Sequence, residues 1–356
     1  MAYLKLYKNK LQHNYQMLAG WFATQGIEWG VVSKLLCGNK TYLQELLNLG
    51  VKEFHDTRIS NLKAIKQLNA DVQTVYIKPP AKRSIANVIK YADVSFNTDY
   101  STIKMLSDEA GRQHKIHKII VMIEMGDLRE GVVGDQLMDF YAKILHLPNI
   151  SIVGLGTNLN CLNGIMPSED KLIQLCLYKQ LIEAKFNIHI PWVSGGTSVT
   201  VPLLLKKQLP KQVNHFRVGE VLFFGLDLFR NKTIEGMYDD VFELYGEIIE
   251  LYEKPKVPNG EQGFNVAGGK PSYPTEDYGK KSYRAIVDIG LLDCNPKYLI
   301  LEDDDMDIIE ASSDMLVLDF HQNKQNYKVG DLVKFKLKYM GVLGIMNSNY
   351  VDKVVV

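Results

Sequence analysis

Along the first 230 residues the apolar positions switch between two periods. From Lys8 to Thr24, Lys40 to Leu49 and Ser60 to Leu68 they recur every three or four residues, the spacing of an amphipathic helix. Between them lie short runs rich in β-branched and aromatic residues, at Trp29 to Ser33, Glu53 to His55 and Thr74 to Ile77. The rhythm continues with predicted strands at Asp93 to Phe96, Lys118 to Glu124, Ser151 to Thr157, Pro191 to Ser194 and Val218 to Gly225, with helical segments between most of them. About eight βα units within roughly 230 residues is the size and alternation of an α/β fold of the (β/α)8 TIM-like barrel type. A doubly wound open sheet is the alternative. The barrel is preferred because candidate polar residues fall at the carboxyl ends of many strands, not at one switch point.

After about Asp227 the texture changes. Val241 to Glu250, Ser282 to Gly290, Leu316 to Phe320 and Leu332 to Lys338 read as strands separated by Pro, Gly and Asn-rich turns. The expected division is therefore a barrel over residues 1–230 and a mostly β C-terminal domain over 231–356. The stretch Pro255 to Lys281 carries Gly, Pro and Tyr with little periodicity and is expected as a long irregular loop.

Composition narrows the function classes. With 46% apolar and 23% charged residues in 356, the chain reads as an ordinary globular protein. Lys+Arg and Asp+Glu are both 41, so the charge balance gives no footprint for nucleic acid or an anionic membrane. The four cysteines, Cys37, Cys161, Cys176 and Cys294, form no C-x-x-C pair, and the chain opens on no signal-peptide pattern. A cytoplasmic protein with free thiols and no metal is expected. No apolar run approaches the roughly 20 residues that span a bilayer.

The chemistry candidates sit at strand ends. In Gly30-Val31-Val32-Ser33-Lys34-Leu35-Leu36-Cys37-Gly38 an apolar strand ends in an amine followed by a glycine turn. An amine in such a low-dielectric place is suited to forming a Schiff base; a snorkelling strand-end lysine is the plainer reading. Arg129, in Met125-Gly126-Asp127-Leu128-Arg129-Glu130-Gly131, follows the fifth strand and reads otherwise as a surface ion pair. Asn158 follows the sixth strand and reads otherwise as a turn residue. Ser194-Gly195-Gly196-Thr197-Ser198 follows the seventh and offers glycines and hydroxyls to a phosphate. Arg217-Val218-Gly219-Glu220 is expected to open the eighth strand, in the region where barrels hold phosphate.

These segments together resemble the alanine racemase family, the fold-type III pyridoxal-phosphate enzymes, and most closely its ornithine racemase branch. The resemblance spans the whole chain, with Val32-Ser33-Lys34, Cys37-Gly38, the 125–131 run, Gly156-Thr157-Asn158-Leu159, Ser194-Gly195-Gly196, Arg217-x-Gly219-Glu220 and Ala311-Ser312-Ser313-Asp314 in order. It implies pyridoxal 5'-phosphate as cofactor, held by Lys34, which also acts as an acid/base at the substrate α-carbon. It implies Arg217 facing the pyridine nitrogen and Arg129 near the phenolic oxygen or the substrate carboxylate. Ser194, Gly195, Gly196, Thr197, Gly219 and the backbone N–H of Glu220 are implied as the phosphate cradle, Asn158 as a ring contact, and Ser313 and Asp314 as substrate contacts.

One departure stands out. The family's second acid/base is a tyrosine from the partner subunit's β domain, and Leu291, in Ile289-Gly290-Leu291-Leu292-Asp293-Cys294, occupies its position here. Asp293 or Cys294, which read otherwise as turn residues, supplies the second base, or a tyrosine from elsewhere such as Tyr283 or Tyr339 (the latter also a candidate cofactor-binding residue) replaces it, or the chain is not an efficient racemase. Leu291, Leu292 and Met315 suggest a less polar distal pocket. The expected function is an amino-acid racemase of ornithine, alanine or lysine type, abstracting and returning the α-proton as a homodimer with shared sites. A non-catalytic pyridoxal-phosphate-binding protein is the alternative; a decarboxylase, separable by release of carbon dioxide, is a third.

Overall fold

The computed structural model describes residues 2–264 and 268–356 and divides into two compact units. Lys8–Asp239 is an α/β unit, and residues 1–7 with Asp240–Val356 form a β unit. Among the described residues no helix is long and apolar enough to cross a membrane.

The α/β unit carries eight parallel strand positions in one ring: Glu28–Val32, Glu53–Asp56, Gln73–Tyr76, Val94–Asn97, His117–Met122, Ile150–Gly156, Trp192–Thr197 and His215–Val218. The seventh is interrupted at Gly195; its first half, Trp192–Ser194, pairs with the sixth strand, and its second half, Gly196–Thr197, pairs with the eighth. The eighth in turn pairs with the first, which closes the barrel. Helices Lys8–Ala23, Lys40–Asn48, Ile59–Leu68, Ile85–Tyr91, Tyr100–Arg112, Leu137–Ile144 and Glu169–Phe186 alternate with the strands. Asn39, Asp99 and Ser168 each cap a helix by accepting a backbone N–H with the side chain, at Tyr42, Thr102 and Lys171 respectively.

The eighth strand corrects the sequence expectation of Val218 to Gly225. It is His215–Val218, and the apolar run that follows, Glu220–Phe224, is a short helix ended by Gly225 in the left-handed region at φ 57°. A continuous buried apolar run has no period by which strand and helix differ. Arg217 therefore lies one residue before the strand's end instead of opening it.

The barrel interior has two chemically different sides. Val75, Val94, Phe96, Ile120 and Met122 form an apolar cluster from the third, fourth and fifth strands, with Trp192 packed against it. Glu53, His55, Ser194, His215 and Arg217, from the second, seventh and eighth strands, are all buried and polar. Glu53 and His215 bond across the first strand, which separates their own strands. Gly30 makes room for this: a Cβ there would stand 2.5 Å from the His55 ring and 2.7 Å from Glu53.

In the β unit the sheet runs Leu299–Leu301, Leu332–Leu337, Phe242–Pro255, Lys281–Val287, Leu316–Asp319, Asp307–Ala311, all neighbours antiparallel. Tyr3–Leu6 lies antiparallel to the start of Phe242–Pro255 and parallel to Asp352–Val355, so the two ends of the chain pair with each other. This is where the division expected at 230/231 differs from the structure. Leu4 and Leu6 are fully buried in the β sheet, and 231–239 stay with the barrel. Within the irregular stretch expected over Pro255 to Lys281 the described residues hold one short 3-10 turn, Thr275–Asp277; residues 265–267 lie outside the described residues.

Candidate active site

Lys34 is placed by the turn that ends the first strand. Ser33 still donates its N–H to the His55 carbonyl as if the ladder continued, at 2.9 Å. Its Oγ donates to Asp56 Oδ2 at 3.0 Å. Asp56 is fully buried and accepts in addition from the Arg58 N–H and from Asn61 Nδ2 at 2.9 and 3.1 Å. Burial pushes its carboxyl above the ordinary range, against the opposing pull of those donors. The 3-10 turn Lys34–Leu36 then leaves through Cys37 at φ 49° and Gly38 at φ 76°, where a Cβ would meet Asn61 Oδ1 at 2.8 Å. Lys34 is thus the side chain at the head of a turn clamped to the second strand. Its charge acts on the half-buried Glu220, whose carboxyl is raised by burial and lowered in turn by Lys34.

Arg217 is the buried cation of the interior, 4% exposed. Nη1 donates to the Ser194 carbonyl at 2.5 Å and to Ser194 Oγ at 2.7 Å, and Nη2 donates to the Thr157 carbonyl at 2.7 Å. The guanidinium stands 5.2 Å from the Phe96 ring centroid. Burial lowers it to about 10, so it remains charged at neutral pH. Arginine has five N–H groups and can only donate. Among the described residues its Nε and the second Nη2 hydrogen meet no acceptor, and Thr157 Oγ1 beside it is buried without a partner. A guanidinium in this state is incomplete. A neutral ring nitrogen or another acceptor would satisfy it.

The run Met125 to Gly131 does something the sequence did not reveal. Asp127 is 1% exposed, and its carboxylate accepts the backbone N–H groups of Cys161 and Leu162 at 3.0 Å, Asn163 at 3.1 Å and Ile165 at 3.4 Å. Glu124 Oε1 accepts from Gly126 and Leu128, and Gly131, at φ 153°, has no room for a Cβ against the Glu124 backbone at 2.1 Å. Glu124 thus braces the loop after the fifth strand, and Asp127 ties that loop to the loop after the sixth. Arg129 pairs with Glu130 on one loop, and the Asn158 amide on the other lies against the Arg129 guanidinium, where exchanging its oxygen and nitrogen lets the oxygen accept from it. The structure therefore brings Arg129 and Asn158 together.

At the seventh strand the glycines serve packing. A Cβ on Gly196 would lie 2.1 Å from the Phe216 ring, and one on Gly195 would lie 2.9 Å from Leu175. The expected reason for them, backbone approach to a phosphate, is not needed to explain either. The hydroxyls carry more: Ser198 Oγ accepts the N–H groups of Gly219 and Val221, both at 3.2 Å, and Thr197 donates its N–H to Thr200 Oγ1. Ser198, Thr197, Gly219 and Glu220 thus share one corner of the barrel rim.

In the β unit the two nominated acid/base substitutes are already committed. Asp293 is 8% exposed; Oδ2 accepts the Gly290 N–H at 3.1 Å and Oδ1 accepts from Ser348 Oγ at 2.5 Å. Cys294 is buried and its thiol is pushed up to about 11 by burial. Asp293 holds the turn together, and burial keeps the Cys294 thiol protonated, the turn-residue alternative to a proton-moving role for both. Leu291 and Leu292 donate their N–H groups to the carbonyls of Ser312 and Ser313, setting the 289–294 turn beside Ser313, Asp314 and Met315. Leu291, Leu292, Ser313, Asp314 and Met315 are all exposed. Tyr339 opens the helix Tyr339–Asn347, and Tyr283 lies within the strand Lys281–Val287.

Glu53, His55 and His215 place one ligand atom each within 4.8 Å of the others. Both imidazole Nε2 atoms converge on Glu53 Oε1, at 2.5 and 2.9 Å, which are hydrogen-bond lengths with a proton on each nitrogen. None of these three was singled out from the sequence. The alternation Glu53-x-His55 and His215-x-Arg217, polar at every second strand position, was the available signal.

A model of the alanine racemase N-terminal domain matches residues 7–227. The ornithine racemase of Acetoanaerobium sticklandii is 37% identical over 346 residues, covering 97% of each chain. The lysine racemase of Thermotoga maritima is 31% identical over 357 residues, covering 99% of each. Among solved structures, an alanine racemase from Bartonella henselae with covalently bound pyridoxal phosphate superposes with a TM-score of 0.73 at 14% identity, over 100% of this chain and 99% of that one. The barrel with its appended β unit is the fold of those enzymes, and on a family match over more than half its length and two full-length racemase relatives the chain belongs to the alanine racemase family.

Proposed function

We propose that this chain is a pyridoxal-phosphate-dependent amino-acid racemase and that its substrate is a basic amino acid of the ornithine or lysine kind. The observation that carries the cofactor is Arg217, a buried charged donor whose Nε and second Nη2 hydrogen meet no acceptor among the described residues. The substrate class rests on the ornithine and lysine racemases that match nearly the whole chain. The non-catalytic alternative finds no support in these relatives.

When bound, pyridoxal phosphate supplies an electron-withdrawing carbonyl chemistry that acidifies the substrate α-carbon. The protein's part is positioning and proton handling. Lys34 Nζ holds the group and accepts or returns the α-proton. Arg217 donates to the ring nitrogen without surrendering a proton to it, since guanidinium stays protonated. Arg129, steadied by Asn158 and Glu130, meets a carboxylate or phenolic oxygen. Ser194, Gly195 and Gly196 shape the wall, and the Thr197 hydroxyl and the Glu220 backbone N–H take the phosphate beside Gly219, whose own N–H goes to Ser198. Ser313, Asp314 and Tyr339 are kept as contacts to substrate and cofactor, and a homodimer belongs to the same reading, to be read by sedimentation velocity.

The test is α-proton exchange. Purified protein with pyridoxal phosphate is incubated with L-ornithine, L-lysine and L-alanine in D2O, following deuterium by NMR and chirality by chromatography. Loss of optical activity with deuterium incorporation is expected, strongest for ornithine or lysine. Borohydride reduction followed by peptide mass mapping is expected to place the cofactor on Lys34 and to find none on Lys34→Ala. Bound cofactor without any exchange would overturn the racemase assignment.

A further inference from the structure

Behind Arg217 the polar half of the barrel interior forms a single line. Ser194 Oγ, which accepts from Arg217 Nη1, lies 2.6 Å from His215 Nδ1. His215 Nε2 lies 2.9 Å from Glu53 Oε1. Gln73 Nε2 donates to the other oxygen of Glu53, and His55 Nε2 approaches Oε1 at 2.5 Å. Ser194, His215 and His55 are fully buried, and Glu53 is 9% exposed. The Trp192 ring stacks on His215 at 4.5 Å with an interplanar angle of 17°, fixing the imidazole plane.

The chemistry of the ends sets the direction of the end bonds. Arginine can only donate and an ionised carboxylate can only accept, so Arg217 gives to Ser194 Oγ and His215 Nε2 gives its hydrogen to Glu53. Between them, a His215 whose single ring proton sits on Nε2 takes the Ser194 hydroxyl hydrogen at Nδ1. Burial works against the charge on Glu53, but the imidazoles of His55 and His215 outweigh it and keep the carboxyl well below its ordinary range. His55 is pushed below its ordinary value by burial. Its Nδ1 has no partner, which a bare lone pair tolerates better than a buried N–H. The line then carries a negative charge at Glu53 and a positive charge at Arg217.

We propose that Glu53, His215 and Ser194 are positioning residues for Arg217, a one-way hydrogen-bond chain that fixes its guanidinium and balances its charge where it meets the cofactor ring. The proposal rests on the cofactor reading above. It assigns roles to Glu53, His215 and Ser194's hydroxyl that act through Arg217, and none of the three touches substrate in it.

The first measurement needs no cofactor. In the full-length protein labelled with 15N-histidine, long-range 15N–1H correlation distinguishes pyridine-like from pyrrole-like ring nitrogens, with His215→Gln identifying the signal. A pyridine-like Nδ1 and a protonated Nε2 are expected. An Nδ1–H tautomer or an imidazolium would overturn the chain's direction, and so would one zinc per chain, by elemental analysis, displacing those protons.

The second measurement titrates pyridoxal phosphate by fluorescence quenching into wild type, Ser194→Ala and Glu53→Gln, and follows the visible band of the bound cofactor from pH 6 to 9. Both variants are expected to bind at least roughly tenfold more weakly and to show a shifted pH profile, while Gln73→Ala, at the far end, changes binding less. Unchanged affinity and an unchanged profile in Ser194→Ala would overturn the proposal while leaving the racemase reading intact. Absence of binding to wild type would remove the racemase reading instead, with the tautomer measurement still deciding the chain. If either variant fails to fold, the other and the histidine spectrum carry the test.

Discussion

Replacing Asp127 by Asn is expected to open one loop and leave the barrel closed. The Asp127 carboxylate takes two backbone N–H groups on each oxygen, those of Cys161 and Leu162 on Oδ2 and of Asn163 and Ile165 on Oδ1. In Asp127→Asn one of these oxygens becomes an amino group, so two acceptor positions become donors facing donors. Hydrogen bonds to a charged group contribute about 1.5–3 kcal/mol each. Cys161, Leu162 and Asn163 are exposed, so water recovers part of the loss. The local opening free energy is then expected to fall by about 2–4 kcal/mol, or roughly 30- to 700-fold faster amide exchange at about 1.4 kcal/mol per decade. Burial opposes the charge on Asp127, but the backbone donors outweigh it and lower its carboxyl below the ordinary range. With a folded value below the unfolded value of about 3.9, the stabilisation is complete above pH 5 or so and fades as pH falls through the folded value. Hydrogen exchange by mass spectrometry on peptides covering 157–166 is the assay, at pH 7. Unchanged protection there, or a uniform loss across all barrel strands, would refute the clamp. Because Asn158 and Arg129 hang from the tied loops, racemisation should fall with the loop's protection and not with the melting temperature.

Gly196→Ala forces a methyl to within 2.1 Å of the fully buried Phe216 ring and should cost about 3 kcal/mol, measured by urea unfolding; a cost below about 1 kcal/mol would show that the ring can shift. His117 is buried, bonded to Ser95 at 2.8 Å, and lowered by burial to about 4. The unfolded chain binds its proton first, so stability is full above the ordinary value of 6.5 and lost as pH falls toward 4, by about 3 kcal/mol in all. His117→Gln should flatten that part of the pH–stability curve, and an unchanged slope would assign it to another group. Asp293→Asn should lower stability by about 1–3 kcal/mol through Gly290 and Ser348 and leave the rate per folded molecule nearly unaltered. Loss of racemisation at unchanged stability would restore Asp293 as an acid/base.

Seven of the eight barrel strands were legible because each is a short apolar run with a helix of clear period on at least one side. The eighth was misplaced where strand and helix share one apolar stretch, His215 to Phe224. Tyr3–Leu6 could not be read at all. It is four residues long with two apolar positions, and its partners lie more than 230 residues away. Lys34, Arg129 and Arg217 were legible as polar residues at apolar strand ends. Asp127 was quoted only as part of a motif, because its work is to accept N–H groups from a loop 34 to 38 residues on. Asp293 and Cys294 are ambiguous for the related reason that a polar residue in a turn looks alike in sequence whether it faces a reactant or its own backbone.

The barrel interior itself argues that stability is not what shaped it. The apolar side, from Val75 to Met122, is the kind of packing that holds such a fold together unaided. The opposite side buries a guanidinium, a carboxylate and two imidazoles, and replacement of buried ion pairs by well-packed apolar groups is often neutral or stabilising by about 1–4 kcal/mol. Gly30 goes further, giving up a side chain in a central strand so that Glu53 can reach His215. These are two concessions with one beneficiary. The line ends at Arg217, whose remaining N–H groups meet no acceptor among the described residues, so the polar side is organised around a group with donors left to give.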